Sequence, residues 1–328
     1  MIDNSFTRVL CGQDTGKVPF WEVWFCKYDM VHDLLGSVPE TQEAFLPFVR
    51  RMGWEYLTDH GGGRPVPGAS EVASDGTSHY VQGGLTDLAQ LDTSAELPIE
   101  ETAERLEARL QFAHANGLAL VVYMPWCFHS IATAMGLENL AYKCVDDIDF
   151  LHRAMEYVEE GNREIVEKVL VPLGVDAVLF DGDCAFKNGL MVNPDIFREL
   201  VFDRTAQTVA PLKEADIPYV LHSDGKADDL LPILIELGFS AFHGVESAAN
   251  DLGDIKHRFG KEITLVGNLD VVFLTHATPD EIRIETQRML ETGSPDGRYM
   301  AACNTSPMNY IPNENYLAMV DTIKSYSG

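Results

Sequence analysis

The sequence predicts an α/β fold, a single-domain (β/α)8 TIM barrel over residues 1–328. From residue 117 onward, a short apolar run ending in polar residues is followed by a helical stretch, and the unit repeats. The runs are continuously apolar, as strands buried on both faces are, rather than alternating. With two candidates upstream they number eight, the arithmetic of a closed barrel. No GxGxxG follows any of them, as a doubly wound nucleotide-binding fold would require.

In chain order, Pro19–Phe25 has strong β character and is the first strand. Trp54–Leu57, after a helix over Glu40–Met52, is the second. Residues 60–97 interrupt the repeat and are expected as an insertion over the barrel mouth. Within them His60-Gly-Gly-Gly-Arg-Pro is a loop, and Ser78–Gly84 reads as a hairpin. A helix over Pro98–Asn116 carries Leu106, Leu110 and Ala113 at helical spacing and stops at Gly117. Strands follow at Gly117–Pro125, Val178–Asp183, Tyr219–Asp224, Ala241–Glu246, Ile263–Asn268 and Tyr299–Cys303. Asp147–Leu170 is a long helix between them. Asn193 caps a helix that opens at Pro194 and runs through Lys213, and Thr278 caps another that opens at Pro279. Asn313–Tyr326 is the closing helix, and no change of composition marks a linker.

Lys and Arg total 24 against 51 Asp and Glu, a formal net charge of −27. Neutralisation of phosphates by basic side chains dominates nucleic-acid affinity. A chain this acidic, without a basic block, is expected to bind neither nucleic acid nor an anionic membrane. Its longest apolar runs, such as Leu118–Pro125, are too short to cross a bilayer. Met1-Ile-Asp-Asn-Ser lacks the basic and apolar parts of an export signal, so a cytoplasmic location is expected. The six cysteines form no CxxC, and most are expected as core filler.

Barrels of this kind carry their working residues at the C-terminal ends of the strands, which turns the strand list into a site list. Glu22, Trp24, Asp59, Trp126, Asp181 and Asn268 are expected to line the substrate. Asp183, Lys187, Glu246 and Asn304 are expected to position it or act on it. The carboxylates of Asp181-Gly-Asp183 can share a proton, raising one pKa, or one can cap the following turn. His222 and Asp224 alternate along one strand end, so both can face the axis. Cys303 ends the last strand. Imidazole, carboxylate and thiolate make a mixed zinc set; a hydrogen-bonded His–Asp pair beside a buried thiol accounts for the same spacing.

Several ordered motifs carry a resemblance. They are Asp183-Cys-Ala-Phe-Lys-Asn-Gly-Leu-Met-Val-Asn-Pro-Asp-Ile-Phe-Arg-Glu199, Leu221-His-Ser-Asp-Gly225, Leu231-Pro-Ile-Leu-Ile-Glu-Leu-Gly238, Gly267-Asn-Leu-Asp270 and Pro312-Asn-Glu-Asn-Tyr-Leu-Ala-Met319. Together they resemble the uroporphyrinogen decarboxylase superfamily, which implies a (β/α)8 barrel and one of two activities. The decarboxylases use no cofactor and carry arginines after the first strand. Here Trp24-Phe-Cys-Lys-Tyr-Asp29 offers only Lys27, too little to pair the substrate's carboxylates, with Asp59 a match for the pyrrole-binding Asp. The other branch, the corrinoid-linked methyltransferases, binds zinc through His-x-Cys…Cys; His222 and Cys303 match, and Asp224 replaces the middle cysteine. The resemblance is closer to this branch. It implies Zn2+ on His222, Asp224 and Cys303, and a small-molecule methyl donor or acceptor. It also implies a corrinoid co-substrate, on a corrinoid-binding partner protein or free as methylcobalamin. Members are often homodimers. The alternatives are a carboxy-lyase of porphyrin metabolism and a non-catalytic barrel that binds a corrinoid or tetrapyrrole.

Overall fold

Seven parallel strands follow one another in chain order around a curled sheet. They are β1 (Tyr56–His60), β2 (Ala119–Pro125), β3 (Ala177–Asp181), β4 (Tyr219–His222), β5 (Ala241–His243), β6 (Thr264–Val266) and β7 (Tyr299–Met300). The structure, a computed structural model, describes residues 1–72 and 78–327. β2 shows why the runs are apolar throughout. Ala119 to Met124 are all buried, because alternate residues face opposite sides of the sheet and both sides are covered. Several strands end before their apolar runs do. The polar residues after β4 leave the ladder to bond with the neighbouring loop, as described below.

The expected eighth strand, Pro19–Phe25, is not a regular strand. It meets β7 through a single bridge, Phe20 to Ala301, with Trp21 N donating to Ala301 O and Ala301 N to Pro19 O, both at 2.9 Å. Towards β1 the join is made by a side chain: Tyr56 Oη donates to Glu22 O at 2.9 Å and accepts from Glu22 N at 2.8 Å. Trp24 has φ +50°, a left-handed backbone that ends any extended run there. The ladder is therefore seven strands with an irregular segment, not an eight-stranded closure.

Helices cover the strands where the sequence places them: Ile99–Ala115, Ile148–Ile165 continued by a π-turn over Val166–Leu170, Pro194–Glu214, Pro279–Gly293 and Asn313–Ser325. Asn193 accepts from Asp195 N, and Thr278 forms a capping box with Glu281. The insertion differs from expectation. Ser78–Gln82 is not a hairpin by itself but one strand, paired antiparallel with Ala69–Val72; the connection at 73–77 lies outside the described residues. Gly84 N and Leu85 N both donate to Ala134 O, which ties the insertion to the end of the helix Cys127–Met135. Among the described residues no helix is long and apolar enough to cross a membrane.

Candidate metal centre

β3, β4 and β5 end side by side, with Asp181 in register with His222 and His222 with His243. Beyond β3 a Cβ on Gly182 would stand 2.5 Å from the Trp126 indole. Glycine lets the backbone press onto that ring while an aspartate projects on either side. Asp183 is then fixed from the next loop, because Asp224 N donates to its Oδ1 at 2.9 Å. Ser223 Oγ accepts from Cys184 N at 3.1 Å and donates to Asp224 O at 2.8 Å. Gly225, at φ +89°, turns the chain beneath Ala185 O; its N donates to Glu246 Oε2 at 2.9 Å, and Asn250 Nδ2 donates to its O at 2.8 Å. Each strand end is thus pinned to the next by side chains that the sequence places just beyond the apolar runs.

The result is a compact group. Asp183, His222 and Asp224 present ligand atoms within 4.8 Å of one another. His222 Nε2 lies 3.5 Å from Asp183 Oδ1 and 3.9 Å from Asp224 Oδ1. Asp224 Oδ1 is buried with no hydrogen-bond partner among the described residues. Burial pushes the Asp224 carboxyl up to about 6, with Asp183 and Glu246 adding to the shift and His222 opposing it. Asp181 is raised as well, first by burial and then by Asp183, against His129, His222 and His60. Donors about 2.0–2.1 Å from a tetrahedral zinc stand roughly 3.3 Å apart, close to the nitrogen–oxygen spacings here. One imidazole and two carboxylates, one with an orphaned oxygen, fit a divalent cation with a position left open.

Aromatic and imidazole rings surround this group. Trp24, held by its left-handed backbone, stands edge-on to His222 and Tyr123, with ring centroids 4.8 and 5.4 Å away. His129 Nδ1 is 3.4 Å from Asp183 O. A cavity of about 330 Å³, lined by His129, Ala132, Thr133, Leu137, Met191 and Asp183, opens beside the group.

The other expected site residues are not part of the ligand group. Cys303 does not join the ligand group, which corrects the expected His222–Asp224–Cys303 set. Its sulfur is wholly buried, 3.9 Å from Met319 Sδ on the closing helix, and burial beside Glu22 pushes the thiol well above its usual range. Asp183 stands in its place. Glu22 is buried, accepting from Tyr316 Oη on the closing helix at 3.0 Å and from Cys303 N at 3.3 Å. Glu246 holds the Gly225 turn. Asn304 Oδ1 accepts from Val271 N at 3.0 Å. Asp59 pairs with Arg105 and accepts from His60 N. Trp126 is fully buried, donating through Nε1 to Thr205 Oγ1 at 3.0 Å. Lys187 is exposed in the turn of a small hairpin, between the paired Phe186 and Gly189. Asn268 Nδ2 donates to Val245 O, and the residue lines a separate cavity of about 550 Å³ with Ser247, Asp251, Asp270 and Arg288. His129 and His243 were not among the expected site residues. The signal for His243 was present: Phe242-His243-Gly244 ends β5 as Leu221-His222 ends β4.

A curled parallel sheet with ligand-type side chains converging at consecutive strand ends defines a barrel-class protein with a candidate metal site. The chain belongs to the uroporphyrinogen decarboxylase (URO-D) family, whose profile matches residues 87–326. Among solved structures, a methyltransferase from Methanosarcina mazei superposes with a TM-score of 0.75 at 17% identity, covering 98% of each chain. A family 5 glycoside hydrolase from Prevotella bryantii superposes at 0.52 with 10% identity, covering 98% of this chain and 99% of that one. These likenesses are of fold. No curated protein matches the sequence.

Proposed function

We propose that this URO-D family protein is a methyltransferase that exchanges a methyl group between a small molecule and a corrinoid, carried on a partner protein or free as methylcobalamin. The observation that carries the reading is the convergence of Asp183, His222 and Asp224 at adjacent strand ends. The fold likeness to the M. mazei methyltransferase supports it. A divalent ion, zinc by the chemistry of the donors, would be held by these three side chains and would supply Lewis acidity toward the heteroatom that carries or receives the methyl group. The oxygen-rich set is harder than a dithiolate one, which favours an oxygen or nitrogen substrate atom over a thiol.

The chain's own residues have separate tasks. Trp24 covers His222 and limits water there. The heteroatom must gain or lose a proton as the methyl group leaves or arrives. The Asp181 carboxyl, raised by burial, would exchange it, with His129 and His60 near enough to act on its charge. The carboxy-lyase alternative lacks support in the first segment. Lys27 is fully buried, and its Nζ lies 3.0 and 3.1 Å from the two oxygens of Asp29, so it is not free for a substrate carboxylate.

Metal analysis of the purified protein, followed by zinc titration of the wild type and of Asp183→Asn and Asp224→Asn, tests the reading. The wild type is expected to retain a divalent ion and both variants to bind it far more weakly. Absorbance of the cobalamin should then report methyl transfer. A wild type that neither contains nor takes up a divalent ion refutes the metal reading; ligand-induced stabilisation without turnover would favour a binding protein.

A further inference from the structure

His222 and His243 face each other through their Nδ1 atoms, 2.7 Å apart. Nitrogens this close cannot both carry hydrogen, and two bare lone pairs would repel, so one hydrogen lies between them. His222 is 5% exposed and His243 1%, which keeps water from competing for it. Either ring can own that hydrogen. If His243 owns it, neutral His222 carries its hydrogen on Nε2, facing Asp183 and Asp224, and the lone pair that a cation needs is covered. If His222 owns it, Nε2 is bare toward the two carboxylates. His243 then carries its hydrogen on Nε2, an atom with no hydrogen-bond partner among the described residues.

We infer that His243 is the positioning residue of the metal centre: its Nδ1 accepts the His222 Nδ1 hydrogen and leaves His222 Nε2 as a bare donor to a divalent cation shared with Asp183 and Asp224. The inference rests on the metal reading proposed above. The fold builds the contact deliberately. His222 and His243 are register partners on β4 and β5. Gly244 follows at φ +120°, where a Cβ would stand 2.2 Å from Ser223 O, so glycine allows the two strand ends to close up. A metal-bound histidine more often donates to a carboxylate or a backbone carbonyl. Here a neutral imidazole does the same work without adding another negative charge to a group that already holds two carboxylates, with Asp181 beside them.

The test uses Zn2+ alone, titrated into metal-free full-length protein against a chromophoric chelator. His243→Leu removes the acceptor. His243→Asn returns an oxygen acceptor where Nδ1 stood. The Leu variant is expected to bind zinc roughly 10–100-fold more weakly, the usual range for losing such a partner, and the Asn variant to recover most of that loss. Circular dichroism and melting of the metal-free variants establish that they fold. If the Leu variant does not fold, His243→Gln, whose amide overlays Nε2 rather than Nδ1, replaces it. Nitrogen-15 spectra of the zinc-loaded wild type should show His222 bound through Nε2 with its hydrogen on Nδ1. Unchanged zinc affinity without the acceptor, an Asn variant no better than Leu, or His222 bound through Nδ1 would each overturn the inference and leave the metal reading standing. A wild type that takes up no zinc overturns both.

Discussion

Glu22 is a carboxylic acid kept out of water, and burial pushes its pKa from 4.5 up to about 7 despite bonds from Cys303 and Tyr316. The folded state therefore binds more protons than the unfolded state between those two values. The contribution of this group to stability is fully favourable below about pH 4.5, falls as pH rises towards 7, and is constant above. The shift corresponds to about 3 kcal/mol at roughly 1.4 kcal/mol per unit. Glu22→Gln keeps the shape, can accept from Cys303 N, and cannot ionise. The gap in unfolding free energy between variant and wild type is expected to widen in the variant's favour from pH 5 to pH 8, by an amount on the order of 3 kcal/mol; urea titrations at the two pH values check it. Asp224, also raised, titrates in both proteins and cancels in the difference. The sequence marked Glu22 as a strand-end carboxylate facing the mouth. What hid its real place is the backbone at Trp24, where φ +50° breaks the two-residue alternation on which such a reading depends. Asp181, Asp183, His222 and Asp224 follow intact strands, and the structure brings their side chains together.

At the scale of elements, consecutive apolar runs in a parallel sheet become neighbours, so the ends of β3, β4 and β5 were legible as one rim before any coordinate. The caps at Asn193 and Thr278 were legible for a similar reason, since each is a local hydrogen bond dictated by a few adjacent residues. The antiparallel partner of Ser78–Gln82 and the packing of Cys303 against Met319 were not, because both depend on contacts away from the local sequence. Trp126 illustrates the ambiguity. An aromatic residue after a strand can face a ligand or brace a helix, and here it braces one. Its indole packs edge-on to Phe197, with centroids 5.8 Å apart, and donates to Thr205, both on the helix Pro194–Glu214. Thr205→Val leaves the indole N–H buried and unpaired, at a cost of about 1–3 kcal/mol. Chemical unfolding should show that loss, while zinc affinity stays at the wild-type value. A loss of zinc affinity with unchanged stability would return Trp126 to the site.

For the whole molecule, family membership leaves both proposed chemistries open, and charge bears on the choice. Carboxylates gather around the mouth, at Asp181, Asp183, Asp224 and Glu246, in a chain of net charge −27. Three cations on the strand-end loops are engaged: Arg105 with Asp59, Lys27 with Asp29, and Lys226 with Asp228. A substrate carboxylate about 4 Å from one ionised Asp meets a repulsion of about 4 kcal/mol at an effective dielectric near 20. A porphyrinogen carries several carboxylates and would meet this more than once. Binding a divalent cation at Asp183, His222 and Asp224 would neutralise two of the negative charges without supplying the row of guanidinium partners that such a substrate needs. Uroporphyrinogen offered to the protein, metal-free or zinc-loaded, is therefore expected to lose no carboxyl group, as chromatography of the oxidised porphyrins would show. Raising the salt concentration separates weak encounter from a missing site: screening would rescue binding opposed only by long-range repulsion, but it cannot create partners for buried carboxylates. Continued absence of product at high salt supports the methyltransferase reading, and carboxyl loss without metal or corrinoid refutes it.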